Sequence, residues 1–439
     1  MYKIDFLKIL IILRNKGLDK YKILMEALTL AIGDIIVGID IGTSKVSTVV
    51  GEVNNFNQIE IICSTNCKCS GIQKGVIIDE EEVSAAIAKT IKEAEDISNL
   101  KINSAYTTIP GKFTTIVQNS IVKETKEKYS GISVKDVTSA IVQVRDIEIP
   151  EDKILIDIVP DKFILDDGKI VDDPIGKFSA SLTLTAQIIL ADKEYKKKLV
   201  SIFKKAGIEI DGIVPITLAE RNLVLDTNEL KDNIMILDVG AGNTEIGVFC
   251  GSSYIYNNTI NLGGDNITSD IAYCLNISRE EADKLKRQYG LALKSYIDND
   301  NNISLNTCKD VDSKNKTIKS SELIEIIEAR IEEIFSLINR DILARGLKPS
   351  INSVILTGEG IVNISKSDMA GKIILNIPVK ISTGRLISTV KSMYRTSYAL
   401  VRYIAARPYA ETVSSNIDTK TESHIFKDIV EKIKEFFYT

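Results

Sequence analysis

The stretch IIVGIDIGTSKVSTVVGEV at residues 35–53 has a near repeat in IMILDVGAGNTEIGVFC at residues 234–250. Both run from an apolar strand through Asp-x-Gly and a turn of small residues into a second apolar strand. Two copies of one strand-turn-strand plan, placed far apart in the chain, are typical of an internal duplication. The repeat therefore predicts a protein of two lobes that carry matching hairpins.

The turns of the two hairpins suit phosphate binding. Backbone N–H groups that converge in a tight turn give short hydrogen bonds to anionic oxygens, and glycine and small residues permit the close approach. An ordinary hairpin turn is the alternative for either copy alone, but the matched pair favours phosphate. Lys45 and the hydroxyls of Thr43, Ser44 and Thr244 add donors. The predicted phosphate-contacting residues are Gly42, Thr43, Ser44, Lys45, Gly240, Gly242, Asn243 and Thr244.

Asp40 and Asp238 lie at the ends of apolar strands, where a carboxylate without a partner is costly. A hydrated Mg2+ that bridges phosphates supplies such a partner, since this ion keeps several waters and needs one or two nearby carboxylates. We therefore expect both aspartates to hold Mg2+ through water, with one nucleotide clamped between the lobes.

Two further segments are predicted to contact the nucleoside. VILTGEGI at 354–361 is an apolar strand followed by a turn, in which Gly358, Glu359 and Gly360 suit backbone packing against a flat purine. EEADKLKRQYG at 280–290 places Asp283 and Lys286 on adjacent helical turns, within reach of a ribose or adenine. A solvated, salt-bridged helix is the alternative for the second segment.

Composition excludes several classes of function. A net charge of −5 without a long single-sign block argues against a nucleic-acid partner. The single histidine, His424, argues against zinc chemistry and histidine catalysis, and Cys63, Cys67 and Cys69 are predicted to be unpaired thiols. Residues 1–34 leave two interpretations open, a short surface helix or an upstream stretch with Met25 as the true initiator.

The order of elements predicts an α/β protein whose C-terminal segment is separate from the body. Strand-like and helical stretches alternate from residue 35 onward, which favours largely parallel sheets. After a polar linker, an amphipathic helix is predicted to lie in the lipid interface, with docking on this protein or a partner as the alternative. Its membrane-facing residues are Ile425, Phe426, Ile429, Val430, Ile433, Phe436 and Phe437.

These motifs, in this order, resemble the superfamily of actin, hexokinase and the heat-shock chaperones, and within it the bacterial division protein family FtsA. The segments that carry the closer resemblance are 70–95, 104–112, 113–190 and 260–272. The resemblance implies a two-lobed actin-like, ribonuclease H-like fold with duplicated sheets, an FtsA-type 1C subdomain and a C-terminal amphipathic helix. It also implies ATP and Mg2+ as cofactors.

The resemblance further implies a division of the chain into subdomains. The expected parts are an N-terminal extension (1–34), subdomain 1A (35–112, 191–230 and 384–411), subdomain 1C (113–190), subdomain 2A (231–272 and 346–383), subdomain 2B (273–345), a linker (412–423) and the membrane-targeting helix (424–439).

The function implied by the resemblance is that of a cell division protein. Such a protein forms filaments at the cytoplasmic face of the cell membrane, at the mid-cell septum, and binds the C-terminal peptide of FtsZ through residues 273–345. A PilM-like pilus-assembly protein is the alternative, because it shares the fold. It differs in needing no amphipathic tail. A sugar or acid kinase would need a catalytic carboxylate facing a sugar-sized cleft, and the sequence offers no convincing candidate. A chaperone would need a substrate-binding β domain after the ATPase body.

Three departures from the family pattern bear on chemistry. Glu359 stands where the family usually has glycine, and the predicted helix 389–404 lacks the family's proline and glycine. Val214 stands where actins place a glutamine or glutamate that orients the attacking water. We therefore expect tight nucleotide binding with slow hydrolysis.

Overall fold

The computed structural model describes residues 34–54, 59–125, 131–226, 228–305, 316–382 and 391–406. The predicted linker 412–423, the membrane-targeting helix 424–439 and residues 1–33 lie outside these ranges.

The described chain forms three larger sheets and two short hairpins, with helices packed around them. The strands are β1 (Ile35–Ile41), β2 (Lys45–Val53), β3 (Ile59–Lys68), β4 (Ile72–Gln73), β5 (Val76–Ile77), β6 (Ser104–Ile109), β7 (Thr114–Glu124), β8 (Lys153–Leu165), β9 (Ile170–Val171), β10 (Ser181–Asp192), β11 (Glu209–Pro215), β12 (Asn233–Val239), β13 (Thr244–Cys250), β14 (Ser253–Ile260), β15 (Asn302–Leu305), β16 (Lys316–Lys319), β17 (Ser353–Thr357) and β18 (Val379–Ile381). The α-helices are α1 (Glu80–Ser98), α2 (Val134–Val144), α3 (Lys193–Lys205), α4 (Ile216–Val224), α5 (Gly264–Leu275), α6 (Arg279–Tyr289), α7 (Ser320–Ala344), α8 (Ser367–Leu375) and α9 (Arg395–Ala405).

Two five-stranded sheets share one topology. The first has the order β11-β6-β1-β2-β3 and the second the order β18-β17-β12-β13-β14. In each, an antiparallel meander of three strands continues into two strands that run parallel to its first strand. The internal repeat seen in the sequence is therefore a repeat of whole sheets, one in each lobe.

The first sheet is covered by helices on both faces, which explains its continuous apolar strands. Adjacent residues of a strand point to opposite faces. On β2, the Ser47 hydroxyl lies 3.1 Å from that of Ser397 on α9, while the Thr48 hydroxyl donates to Thr90 on α1 over 2.8 Å. Helix α1 begins where Asp79 caps the backbone N–H of Glu82.

The third sheet forms a separate unit inserted into the first lobe. Strands β7, β10, β8 and β9 pair antiparallel in that order, and helix α2 packs on β7 and β10. Its buried residues, which include Val137, Ile141, Leu184 and Ile188, form a hydrophobic cluster distinct from the cores of the two lobes. The insertion thus has its own core.

The second lobe adds a long helix and a small hairpin beyond its sheet. Helix α7 buries Ile327, Ile331, Phe335 and Ile338 against the lobe's core, and β15 pairs with β16. Among the described residues, no helix is both long and apolar enough to cross a membrane.

Candidate functional site

The two repeated hairpins have the same local geometry. Asp40 is the penultimate residue of β1, and Asp238 holds the same place in β12. Each turn is closed by a backbone hydrogen bond of 2.9 Å, from the Gly42 N–H to the Lys45 carbonyl and from the Gly240 N–H to the Asn243 carbonyl. The duplicated sequence therefore builds two turns closed by the same hydrogen bond.

The turns keep backbone donors for a ligand. Of the described residues, none accepts a backbone hydrogen bond from the N–H groups of Thr43, Ser44, Ala241 or Gly242. These N–H groups lie in the turns between the strands, where an anion would accept hydrogen bonds from them.

The hairpins approach each other from opposite lobes at a single cleft of about 420 Å³. A Cβ atom added to Gly242 would lie 2.6 Å from Cγ2 and 2.7 Å from Oγ1 of Thr43, so only glycine fits at this contact. The Thr43 hydroxyl is buried there and has no hydrogen-bond partner among the described residues. A buried hydroxyl without a partner is uncommon in a native structure and indicates a place for a ligand oxygen.

Most of the residues predicted from the sequence line this cleft. The lining includes Asp40, Gly42, Thr43, Ser44, Lys45, Asp238, Gly240, Asn243, Asp283, Lys286, Glu359 and Gly360.

Three predicted residues stand behind the cleft. Gly242 packs against Thr43, as described. The Thr244 hydroxyl donates to the Leu262 carbonyl over 2.8 Å, so it is not a free donor for phosphate. Gly358 has φ +102°, and a Cβ there would lie 2.1 Å from the Val239 carbonyl oxygen. Gly358 thus packs the turn after β17 onto the end of β12 and does not line the cleft.

Asp283 and Lys286 are fixed by the protein itself. Lys286 is buried and donates to the Gly264 carbonyl over 3.1 Å and to the Thr268 hydroxyl over 2.7 Å, which ties α6 to α5. Burial lowers the pKa of Lys286. Asp283 accepts from Lys286 over 3.1 Å and from Arg287 over 2.7 Å. Burial disfavours the Asp283 carboxylate, but these two bonds outweigh it and lower its pKa.

Glu359 joins the two lobes across the cleft. Its carboxylate lies 3.0 Å from Lys45 Nζ on the first hairpin and also accepts from the Ser392 hydroxyl. Burial opposes the charged form of Glu359, but these partners prevail and its pKa is lowered. Lys45, predicted to contact phosphate, is therefore held by the Glu359 carboxylate.

Sequence reasoning missed the guanidinium of Arg395. This first residue of α9 is buried, and its Nη2 lies 2.9 Å from Asp238 Oδ1 while its Nε lies 3.5 Å from Glu220 Oε1. The available signal was helical spacing, since Arg395 shares a face with the buried Tyr398 and Ala399. The α-helix begins at Arg395, six residues after the predicted start of 389.

The carboxylates at the base of the cleft resist ionisation. Burial, with a contribution from Asp238, raises the pKa of Asp40 to about 6, although the Thr108 hydroxyl donates to it over 2.8 Å. Burial likewise raises the pKa of Asp238, and it raises the pKa of Glu220 to about 8. Close packing of several acids in a dry site thus makes positive charge favourable there.

Glu245 connects the lobes at another point of the same cleft. It accepts from the Gly111 N–H over 2.8 Å, from the Thr259 hydroxyl over 2.9 Å and from the Asn243 amide over 2.6 Å. Burial raises its pKa to about 7. Val214, by contrast, is buried in β11 and offers no polar side-chain atom to orient a water.

Comparison with known proteins agrees with this architecture. The sequence model for cell division protein FtsA matches residues 235–401, and the model for the SHS2 domain inserted in FtsA matches residues 111–190, the third sheet. The cell division protein FtsA of Borreliella burgdorferi is 30% identical over 350 residues, 79% of this chain and 84% of that protein. The FtsA of Bacillus subtilis is 27% identical over 370 residues, 84% of this chain and 83% of that protein.

Solved structures share the fold. The PilM-PilN type IV pilus biogenesis complex aligns with a TM-score of 0.53 at 16% identity, covering 85% of this chain and 98% of that chain. MreB5 of Spiroplasma citri bound to ADP aligns with a TM-score of 0.50 at 14% identity, covering 85% and 99%. The predicted two-lobed actin-like fold is confirmed. Because a relative at 30% identity is matched over most of its length, the chain belongs to the FtsA family of cell division proteins.

Proposed function

We propose that this chain binds ATP between its two lobes, polymerises, and anchors the FtsZ ring to the cytoplasmic membrane through its C-terminal helix. The observation that carries the proposal is the meeting of two matched hairpins at one cleft. Their N–H groups and a buried hydroxyl at their contact have no hydrogen-bond partner within the described ranges. A solved structure of the same fold, MreB5, holds ADP.

In this proposal the hairpins hold the phosphates. The N–H groups of Thr43, Ser44, Ala241 and Gly242 would donate to phosphate oxygens, and Lys45 would join them on leaving Glu359. The nucleoside would lie toward the part of the cleft lined by Asp283, Lys286 and Gly360.

Magnesium fits one of the two predicted carboxylates better than the other. Asp40 keeps one oxygen outside its bond to Thr108 and suits a water-mediated contact with the ion. Asp238 already has a buried cationic partner in Arg395. The two aspartates therefore do not form an equivalent pair of metal ligands.

The nucleotide site is tested with Thr43→Val, which removes the unpartnered hydroxyl and keeps the shape of the side chain. We expect ATP affinity measured by titration calorimetry to fall about tenfold to a hundredfold, the worth of one hydrogen bond to a charged group, with little change in melting temperature. Thr48→Val is the matched control, because its hydroxyl is buried in the same lobe but donates to Thr90. It should lower stability and leave affinity unchanged, and the reverse pattern would contradict the assignment.

Membrane attachment is tested by co-sedimentation with anionic lipid vesicles. One helix with balanced charge binds weakly, whereas a filament presents many helices and binds firmly. We expect full-length protein to pellet with vesicles, more so with ATP, and protein lacking residues 424–439 to remain in the supernatant. Phe426→Asp in the full chain should behave like the deletion. Pelleting that ignores both tail and nucleotide would refute the proposed anchoring.

The FtsZ peptide is proposed to bind on residues 273–345, where α7 provides an outer surface. Glu332 is exposed on that surface. We expect Glu332→Lys to weaken binding of a labelled FtsZ C-terminal peptide in an anisotropy titration. Asp96→Lys, an equal change of charge on the exposed side of α1 in the other lobe, is the control. Equal effects of both variants would place the peptide elsewhere.

The PilM-like alternative has less support. The likeness to the PilM-PilN complex is a likeness of fold at 16% identity, whereas the FtsA relatives match in sequence over most of their length. Loss of membrane pelleting on removal of the tail separates the two functions.

A further inference from the structure

Arg395 places a positive charge directly beside Asp238, the aspartate of the second hairpin. It stands at the N-terminus of α9 in the first lobe, and its guanidinium reaches across to Asp238 in the second lobe at 2.9 Å. On its own side it lies 3.5 Å from Glu220, which also accepts from the Thr396 hydroxyl over 3.0 Å. A single side chain thus neutralises acids of both lobes.

The titratable groups around this guanidinium are mainly acidic. The ionisable groups whose charges act on Arg395, or on its partner Asp238, include Asp40, Lys45, Glu220, Glu245 and Glu359. Lys45 is the other cation of this set, and it is paired with Glu359. Arg395 is therefore the cation that balances Asp238.

Arg395 is held in place by the packing of its helix. A Cβ on Gly38 of β1 would lie 2.8 Å from both the Ser397 carbonyl oxygen and Val401 Cγ2, so α9 sits directly on the strand that carries Asp40. Ser47 and Ser397 add a hydrogen-bonding contact between β2 and α9. The guanidinium keeps its proton at any ordinary pH, so its positive charge is permanent.

A divalent ion fits poorly beside this group. The ion would have to share Asp238 with a buried permanent cation, and like charges repel strongly where water is excluded. In the part of the chain that the structure describes, no group of three or more acidic, histidine or cysteine side chains is arranged to hold a metal. The donor set at Asp238 is thus suited to a guanidinium.

We propose that Arg395 is the resident cation of the nucleotide site and that it takes the place of a divalent ion at Asp238. Any Mg2+ that accompanies ATP is then left with Asp40 as its predicted carboxylate contact, and ATP affinity depends little on Mg2+. This inference rests on the proposed nucleotide function, and it names Arg395 as the residue that sets the metal dependence of binding.

The experiment compares ATP affinity in Mg2+ and in EDTA by titration calorimetry with the full chain. We expect wild-type affinity to change by less than about threefold, which is under 1 kcal/mol. In Arg395→Ala the carboxylate of Asp238 becomes free, so affinity in EDTA should be at least about tenfold weaker than in Mg2+. Arg395→Lys keeps a positive charge and should remain independent of Mg2+. Arg402→Ala, on the same helix but outside the cleft lining, is the matched control and should behave as wild type.

A second readout needs no nucleotide. Mg2+ alone should leave the melting temperature of the wild type unchanged and should raise that of Arg395→Ala. A wild-type loss of more than about threefold in EDTA would overturn the role of Arg395 and leave nucleotide binding itself intact. Absence of ATP binding in both buffers would overturn the nucleotide function and this inference with it. If Arg395→Ala does not fold, the wild-type comparison still decides.

Discussion

Glu359→Gln should strengthen ATP binding. The side chain of Glu359 holds Lys45 across the cleft at 3.0 Å, and Lys45 is the proposed phosphate contact of the first hairpin. This ion pair must be broken before Lys45 meets a phosphate. Glutamine keeps the size of the side chain and its bond to Ser392 but removes the charge, so Lys45 is released at lower cost.

The magnitude follows from the exposure of the pair. Two unit charges 3 Å apart attract by about 1.4 kcal/mol in water and about 5.5 kcal/mol at an effective dielectric constant of about 20. The side chains of Lys45 and Glu359 are 22% and 38% exposed, so solvent screens much of this attraction. Pairs of this kind contribute up to about 1 kcal/mol, which corresponds to an increase in affinity of about fivefold.

Titration calorimetry with ATP at low salt measures the change. The difference between variant and wild type should shrink at about 1 M salt, where exposed charges are screened within about 3 Å. Glu229→Gln is the control, because it removes the 3.2 Å ion pair with Lys380 outside the cleft lining. Equal or weaker ATP binding by Glu359→Gln would refute the competition between Glu359 and phosphate for Lys45.

Three further outcomes are expected. Gly358→Ala should lower the free energy of unfolding by more than about 3 kcal/mol in denaturant titrations, because its φ is +102° and its Cβ would overlap the Val239 carbonyl, whereas Gly346→Ala, at φ +68° in open space, should cost about 1 kcal/mol. The raised pKa of Glu245, about 7, means that the folded state binds its proton more tightly than the unfolded chain, so stability should fall as pH rises from about 4.5 to about 7. In Glu245→Gln this decrease in the free energy of unfolding should be smaller by up to about 3 kcal/mol. A variant with the same pH dependence of stability as the wild type would contradict the raised pKa of Glu245. Phosphate release at saturating ATP should be slower than about 0.01 s⁻¹, since Val214 cannot orient a water, and a fast ATPase rate would show that another residue does so.

The hairpin repeat was enough to predict the duplicated lobes and the cleft. This prediction was possible because the strand, the Asp-x-Gly and the small-residue turn follow one another directly in the sequence. The presence of two copies was the reason to expect both turns at one shared site between the lobes. Thr244 and Gly358 show the limit of this reasoning, because the residue type suited phosphate or purine contact but the backbone directed each toward Leu262 or Val239.

Local sequence by itself determined the strand-turn-strand units, the residues that line the mouth of the cleft and the family to which the chain belongs. Tertiary structure alone decided the electrostatics of the site. Arg395, Glu220 and Asp238 come from α9, α4 and β12, which are far apart in the chain, and the contact with Asp238 exists only because the two lobes lie side by side. Charge interactions depend on the distance between the groups and on the exclusion of water, and neither can be derived from the order of residues along the chain.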